Sequence, residues 1–156
     1  MTDNQMYPWL LHGIDRTYHG QWKGNSFFTE IETEGVGIIV IHDLEAGVLA
    51  VGAGVLSGVT FGEDLVRELG RLNSSLVLGS FVLKEGEKGH WSIAYGLKVR
   101  CNWLEPQSRT SSHMVLDILN APPSFVERGV ETLQPKFGGE RSSIAPGWSL
   151  ALMDSF

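Results

Sequence analysis

The chain has little of what marks several large classes of protein. It has one cysteine, Cys101, so no disulfide can form within it, as is usual for a protein of a reducing compartment. Its 12 basic residues are outnumbered by 18 acidic ones, and no two of the basic residues are adjacent. Because binding to phosphates requires clustered Lys and Arg, this charge pattern argues against a nucleic-acid partner.

The sequence also has no segment typical of a leader peptide or a membrane span. Its start, Met1-Thr2-Asp3-Asn4, has neither the basic residues nor the apolar core of a signal peptide. The most apolar stretch, residues 46–59, has 14 residues and several glycines. A membrane helix needs about 18 or more. We therefore expect a cytoplasmic protein with no membrane partner.

The composition is that of a globular domain, with 42% apolar and 19% charged residues in 156. We predict one α+β domain over residues 1–137, followed by a flexible glycine hinge and an apolar C-terminal tail over 138–156. The predicted architecture is an antiparallel five-stranded sheet with helices packed mainly on one face. The predicted order of elements is α-β-β-β-α-β-β-α-α.

Five segments have the composition of strands. Residues 36–41 form a continuous β-branched run, which is typical of a strand covered on both faces, and residues 27–33 and 48–55 flank it across short turns. Strands joined by such short turns must be antiparallel. Residues 76–83 and 90–99 then form a hairpin, the second strand alternating between apolar and small or polar side chains.

Helices are predicted in four places. A weak apolar stripe suggests residues 8–19. Thr60 and Glu63 have capping-box spacing, and the helix they begin would bury Phe61, Leu65, Leu69 and Leu72 and end at Asn73-Ser74. Ser111 or Ser112 could cap a third helix, which Pro122-Pro123 would break. A second capping box, Ser124 with Glu127, would begin a fourth that stops before Pro135.

The tail is apolar at its end. Residues 140–147 are polar and expected to be mobile, whereas the last nine residues include Trp148, Leu150, Leu152 and Phe156. Such a cluster is too apolar to remain solvated without consequence. Two alternatives stay open: the tail docks on its own domain, or it binds a second copy or a partner. These four residues are the predicted partner-binding residues.

Three groups of residues could support chemistry, and each also has a structural interpretation. Glu30, Glu32 and Glu34 lie on one face of a strand and could bind a cation, although like charges also protect an edge strand from aggregation. The glycines of residues 52–58 follow a strand and precede a helix, as in a phosphate-binding loop. Their spacing is wrong and no Lys-Ser or Lys-Thr follows, which favours strand curvature or close packing.

The remaining candidates are His42, His90 and Cys101. The two histidines lie at strand ends and could meet across the sheet as a pH switch, or each could only cap a turn. Cys101 could be a nucleophile with a distant histidine, or a small buried apolar residue. No His or Cys spacing in the sequence is that of a metal site. We therefore predict no catalytic residue, cofactor or metal.

The segment over residues 65–81, LVRELGRLNSSLVLGSF, resembles the YbjN-like family, whose members are described as bacterial sensory transduction regulators with the fold of type III secretion chaperones. The resemblance covers about residues 26–137. It implies a sheet with helices on one side and a tendency to dimerise. By analogy with the secretion chaperones, it also implies binding of an extended or partly unfolded polypeptide, and it implies no catalytic residues.

Two functions therefore compete. The first is a non-enzymatic protein-binding module, a chaperone-like protein or regulatory adaptor that acts as a homodimer. The second is a small-ligand-binding protein or enzyme that uses Glu30, Glu32, His42 or His90 near the ends of the sheet. A deep pocket lined by two or more of these side chains would favour the second.

Overall fold

The computed structural model describes residues 21–23, 26–33, 36–43, 48–86, 89–100, 117–118 and 120–142. Within them the strands are β1 (Gln21–Lys23), β2 (Ser26–Thr33), β3 (Val36–Asp43), β4 (Val48–Val59), β5 (Ser80–Glu85), β6 (Trp91–Arg100) and β7 (Glu140–Arg141). The helices are α1 (Glu63–Ser75) and α2 (Pro122–Phe137). An α+β fold with an antiparallel sheet is confirmed.

The sheet has seven strands, because β1 and β7 add to the five that were predicted. Its order is β1-β2-β3-β4-β6-β5, and every pairing is antiparallel. β7 pairs with the second half of β4, where Leu56 is opposite Arg141 and Ser57 opposite Glu140. The predicted order of elements was therefore incomplete. Strands of three and two residues are too short to show a periodic pattern.

β4 lies at the centre of the sheet and contains two irregularities. The register with β6 shifts between Gly54 and Leu56, and again between Ser57 and Val59. A bulge inserts one residue and re-aims the side chains that follow it. As a result Val55 and Leu56 are both fully buried on the same side as the helices. The glycines of this segment lie within a continuous strand, so they form no phosphate-binding loop.

Helix α1 begins later than predicted. The N-cap is Gly62 rather than Thr60, since the Thr60 N–H donates to the Phe137 carbonyl oxygen at 3.0 Å. This long-range bond competes with the predicted capping box. Leu65, Leu69 and Leu72 are buried as expected, but Phe61 is 50% exposed and stacks on Trp91 with ring centroids 4.3 Å apart.

Residues 117, 118 and 120 are helical and Ala121 is not, so the predicted break before the prolines is present, but α2 begins at Pro122 rather than at Ser124. Pro122 and Pro123 occupy its first positions, where a missing N–H leaves no intrahelical bond unmade. Ser124 does not act as the cap, since its hydroxyl donates to the Ala121 carbonyl oxygen at 3.0 Å. The helix also continues past Pro135 to Phe137. The predicted helices over 8–19 and from Ser111 or Ser112 lie largely outside the described residues.

Asn73 fastens α1 to the edge strand β5. The Phe81 N–H donates to Asn73 Oδ1 at 2.6 Å, and Asn73 Nδ2 donates to the Phe81 carbonyl oxygen at 3.0 Å. The side-chain amide therefore pairs with one residue of the edge as a neighbouring strand would. Edge strands are usually protected from further pairing, and here one side chain provides part of that protection.

We expect Asn73→Ala to lower the free energy of unfolding by about 1–2 kcal/mol, because it leaves the Phe81 main-chain groups unpaired in a partly buried site. Urea unfolding followed by circular dichroism measures this. Ser74→Ala is the control, since the Ser74 hydroxyl makes only an exposed bond to the Arg71 carbonyl oxygen. Equal midpoints for the two variants would contradict the role given to Asn73.

Candidate polypeptide-binding surface

The two faces of the sheet differ in what covers them. On the first face Ile38, Val51, Tyr95 and their neighbours form a core with the buried side chains of α1 and α2. The opposite side chains of the same strands make up the second face, which we define as Ile39, Ile41, Ala50, Gly52, Gly54, Ala94 and Gly96. The prediction that residues 36–41 are covered on both sides is confirmed for residues 38–41, since Ile39 is only 1% and Ile41 only 4% exposed, whereas Gly37 is exposed.

The second face is a trough with a floor of small residues. Gly52 lies opposite Gly96, and Gly54 lies opposite Ala94, so the two central strands present almost no side chain there. Ile39 and Ile41 rise beside this floor on β3, next to Gly52 and Ala50. Val82 borders it on β5, opposite Ala94. A floor of this kind lets another backbone or a large side chain approach closely.

The trough is bounded by polar residues at both ends. Lys98 is exposed and pairs with Ala50, and at the other end Ser57 pairs with Ser92. The apolar part therefore extends from Ala50 to Gly54 along β4, which is about 13 Å at the usual rise of a strand. An apolar centre with a polar rim is typical of surfaces that bind polypeptides.

Burial of the second face does not come from the described helices. The Ile39, Ile41 and Ala50 side chains form a cluster of their own, and no buried side chain of α1 or α2 belongs to it. Their cross-strand neighbours Gly52 and Gly96 are too small to shield them. Even so, Ile41 is 4% exposed and Ala94 is fully buried.

The chain enters the second face just after β7. Gly138 ends α2 with a φ of 71°, and Gly139 follows with a φ of 86°, a left-handed conformation that favours glycine at both positions. Residues 140–141 were expected to be mobile, but they pair with β4. The Ser142 N–H then donates to the Val55 carbonyl oxygen at 3.3 Å.

Arg141 joins β7 to α2. Its guanidinium donates two hydrogen bonds to the Glu127 carboxylate, one of them 2.7 Å long. These bonds lower the pKa of Glu127 despite the opposing effect of burial. This pair and the Ser142 bond hold the chain beside Gly54. A Cβ added at Gly54 would lie 2.7 Å from Ser142 Oγ and 2.8 Å from its carbonyl oxygen.

Ser142 itself has an unusual environment. Its hydroxyl oxygen is buried and has no hydrogen-bond partner. Leaving such a group unpaired costs about 1–3 kcal/mol, so packing around Ser142 must offset it. Ser142 therefore lies in a close-packed position over the second face.

Tyr95, a buried ionisable residue on the first face, serves the fold rather than a reaction. Its hydroxyl donates to the Leu78 carbonyl oxygen at 2.7 Å, and its ring stacks on Phe125 at 5.0 Å. Burial raises the pKa of Tyr95 to about 12. The phenol therefore stays protonated and acts as a donor at neutral pH.

The strand positions of the two predicted histidines lie far apart. His42 pairs with Leu49 at one end of β4, whereas His90 precedes Trp91, which pairs with Val59 at the other end. Ten strand residues separate these ends, or about 30 Å, so the two histidines do not meet across the sheet. Glu30 is exposed and lies opposite Ile39, near the middle. The side chains of Glu32 and His42, and the whole of Glu34 and Cys101, lie outside the described residues.

His90 lines an open cleft at its own end of the sheet, together with Ser57, Gly58, Ser92, Gly139 and Glu140. Glu30, the other predicted acidic residue whose side chain the structure describes, is not among the residues that line it. In the part of the chain that the structure describes, no three His, Cys, Asp or Glu side chains are grouped as metal ligands. Nor does that part contain a helix long and apolar enough to cross a membrane.

No protein-family model, curated protein or solved structure matches the chain. The resemblance to the YbjN-like family therefore stays a prediction. The predicted partner-binding residues Trp148, Leu150, Leu152 and Phe156 lie outside the described residues. Sequence reasoning missed the second face, although its signal is present: small residues alternate at positions 50, 52 and 54 and again at 94 and 96.

Proposed function

We propose that this protein is a non-enzymatic, cytoplasmic protein-binding module, a chaperone-like protein or regulatory adaptor that holds a partner polypeptide and acts as a homodimer. The observation that carries the proposal is the second face, an apolar surface with polar ends to which neither described helix contributes a buried side chain. A trough with a glycine floor fits a polypeptide segment better than a rigid small molecule, because its length follows the strands.

The charge of the chain also supports a protein partner. The formal net charge is −6, and four of the described basic side chains on the helices and β7 form ion pairs: Arg67 with Asp64, Arg71 and Lys136 with Glu68, and Arg141 with Glu127. The two pairs with Glu68 lower the pKa of Glu68, chiefly through the Arg71 hydrogen bond. Because these cations are already paired, the surface favours a partner that binds through apolar contacts.

Affinity capture from the source cells tests the proposal. We expect the unaltered chain to retain a specific polypeptide and Gly52→Leu, which fills the floor of the trough, to lose it. Gly37→Leu is the matched control. Gly37 lies on β3 and faces the same side of the sheet as Gly52, but it is exposed and nothing lies within 4 Å of an added Cβ. Circular dichroism must show that both variants are folded.

Light scattering tests the homodimer. A mass twice the chain mass of 17.2 kDa is expected for the purified protein. A monomer that captures nothing, or a partner that both variants retain equally, would count against the protein-binding module.

A further inference from the structure

The geometry points to the chain's own residues 143–156 as the resident occupant of the second face, bound within the same molecule. This inference rests on the proposed function, since it identifies the polypeptide that fills the trough in the absence of a partner. It assigns Trp148, Leu150, Leu152 and Phe156 to an intramolecular contact that a partner must displace.

The first argument is where the described chain leads. β7, the Arg141–Glu127 pair and the Ser142–Val55 hydrogen bond fix the chain up to Ser142. At that point Ser142 lies against the Cβ position of Gly54, on the second face. The next residue therefore starts at one end of the trough rather than at the edge of the sheet or on the helix side.

The second argument is complementarity between the trough and the segment. The trough is apolar, with Gly52, Gly54 and Gly96 at its floor and Ile39 and Ile41 along one side. The segment contains six large apolar side chains among 14 residues: Ile144, Trp148, Leu150, Leu152, Met153 and Phe156. Large side chains over a glycine floor bury the most apolar area.

The third argument is reach. Fourteen residues span at most about 46–50 Å, several times the length of the apolar part of the trough. Trp148 is only six residues beyond Ser142. The segment can thus cover the trough in any conformation from helical to extended.

Other segments are less well placed to cover the second face. Residues before Gln21 enter the sheet through β1, at the edge strand beyond β2. Residues 101–116 connect Arg100 to Ile118, whose side chain belongs to the first-face core. Neither has a described residue seated over the trough, as Ser142 is.

Photo-crosslinking tests the inference on the isolated full-length protein. With p-benzoylphenylalanine in place of Trp148, irradiation should produce cross-links within one chain to residues 37–54 or 94–98, mapped by mass spectrometry. The same probe in place of Val77, which is 93% exposed, is the control and should give no cross-link to the second face. Cross-links to α1 or α2, cross-links to another copy, or none to the second face would overturn the inference.

Hydrogen exchange supplies a second readout. A variant with Trp148, Leu150, Leu152 and Phe156 all changed to Ser should lose at least about tenfold in amide protection over residues 50–54 and 94–96, with α2 unaffected. Unchanged protection there would contradict the inference. Both measurements use the purified chain alone, so a negative result contradicts only the intramolecular contact. A failed partner capture contradicts the proposed function instead.

Discussion

Replacing Gly79 with Ala is expected to lower the free energy of unfolding by about 3 kcal/mol or more. Gly79 has a φ of 75°, a conformation that costs a residue with a side chain about 1–2 kcal/mol. An added Cβ would also lie 2.5 Å from the Tyr95 hydroxyl oxygen and 2.6 Å from the Gly96 carbonyl oxygen. The tyrosine would have to move and give up its bond to the Leu78 carbonyl, which leaves a buried acceptor unpaired.

Gly89→Ala separates the backbone strain from the collision. Gly89 has nearly the same φ, 72°, but nothing lies within 4 Å of an added Cβ. Gly89→Ala should therefore lower the free energy of unfolding by only about 1–2 kcal/mol, the cost of the backbone strain. Chemical unfolding of the two variants under the same conditions gives the difference, and equal losses would show that Tyr95 does not constrain Gly79.

The second large effect is expected for Gly129→Val in helix α2. A Cβ at this position would lie 2.8 Å from Phe81 Cε1 and 3.1 Å from Val55 Cγ1, where the helix packs on the sheet. Overpacking of a core costs typically 1–3 kcal/mol, and a branched side chain at such short distances should cost about 3. This loss exceeds the few tenths of a kcal/mol that valine gains over glycine in helix propensity.

Gly70→Val in helix α1 is the matched control. Gly70 is exposed, and nothing lies within 4 Å of an added Cβ. Its thermal and urea midpoints should be unchanged or slightly raised. Equal stability of Gly129→Val and Gly70→Val would contradict the close packing of α2 against Phe81.

The main strands could be predicted from the sequence because their signals are local. The alternation from Trp91 to Val99 and the β-branched run at residues 36–41 each require a particular relation to a core, and both predictions are confirmed, the second for residues 38–41. The leucines of α1 are likewise placed correctly. Period and composition are enough where one face of an element is buried.

The predictions that failed depend on contacts between distant parts of the chain. Thr60 does not cap α1, because its N–H donates to the Phe137 carbonyl oxygen. No local sequence pattern indicates this long-range bond. Helix α2 was expected to begin at Ser124, although a pair of prolines is compatible with the first positions of a helix. The second face was missed because β4 pairs with β6 across an intervening helix and strand, and only this pairing brings Gly52 beside Gly96.

The pairing of β7 with the central strand has a consequence for how the protein is made. Leu56 and Ser57 leave the ribosome long before Glu140 and Arg141. The second half of β4 therefore stays unpaired on this side until β7 has been translated. Closing so long a loop is slow, and the waiting strand is open to wrong pairing in the meantime. We therefore expect a nascent chain stalled before residue 140 to require molecular chaperones to remain soluble far more than the released protein does.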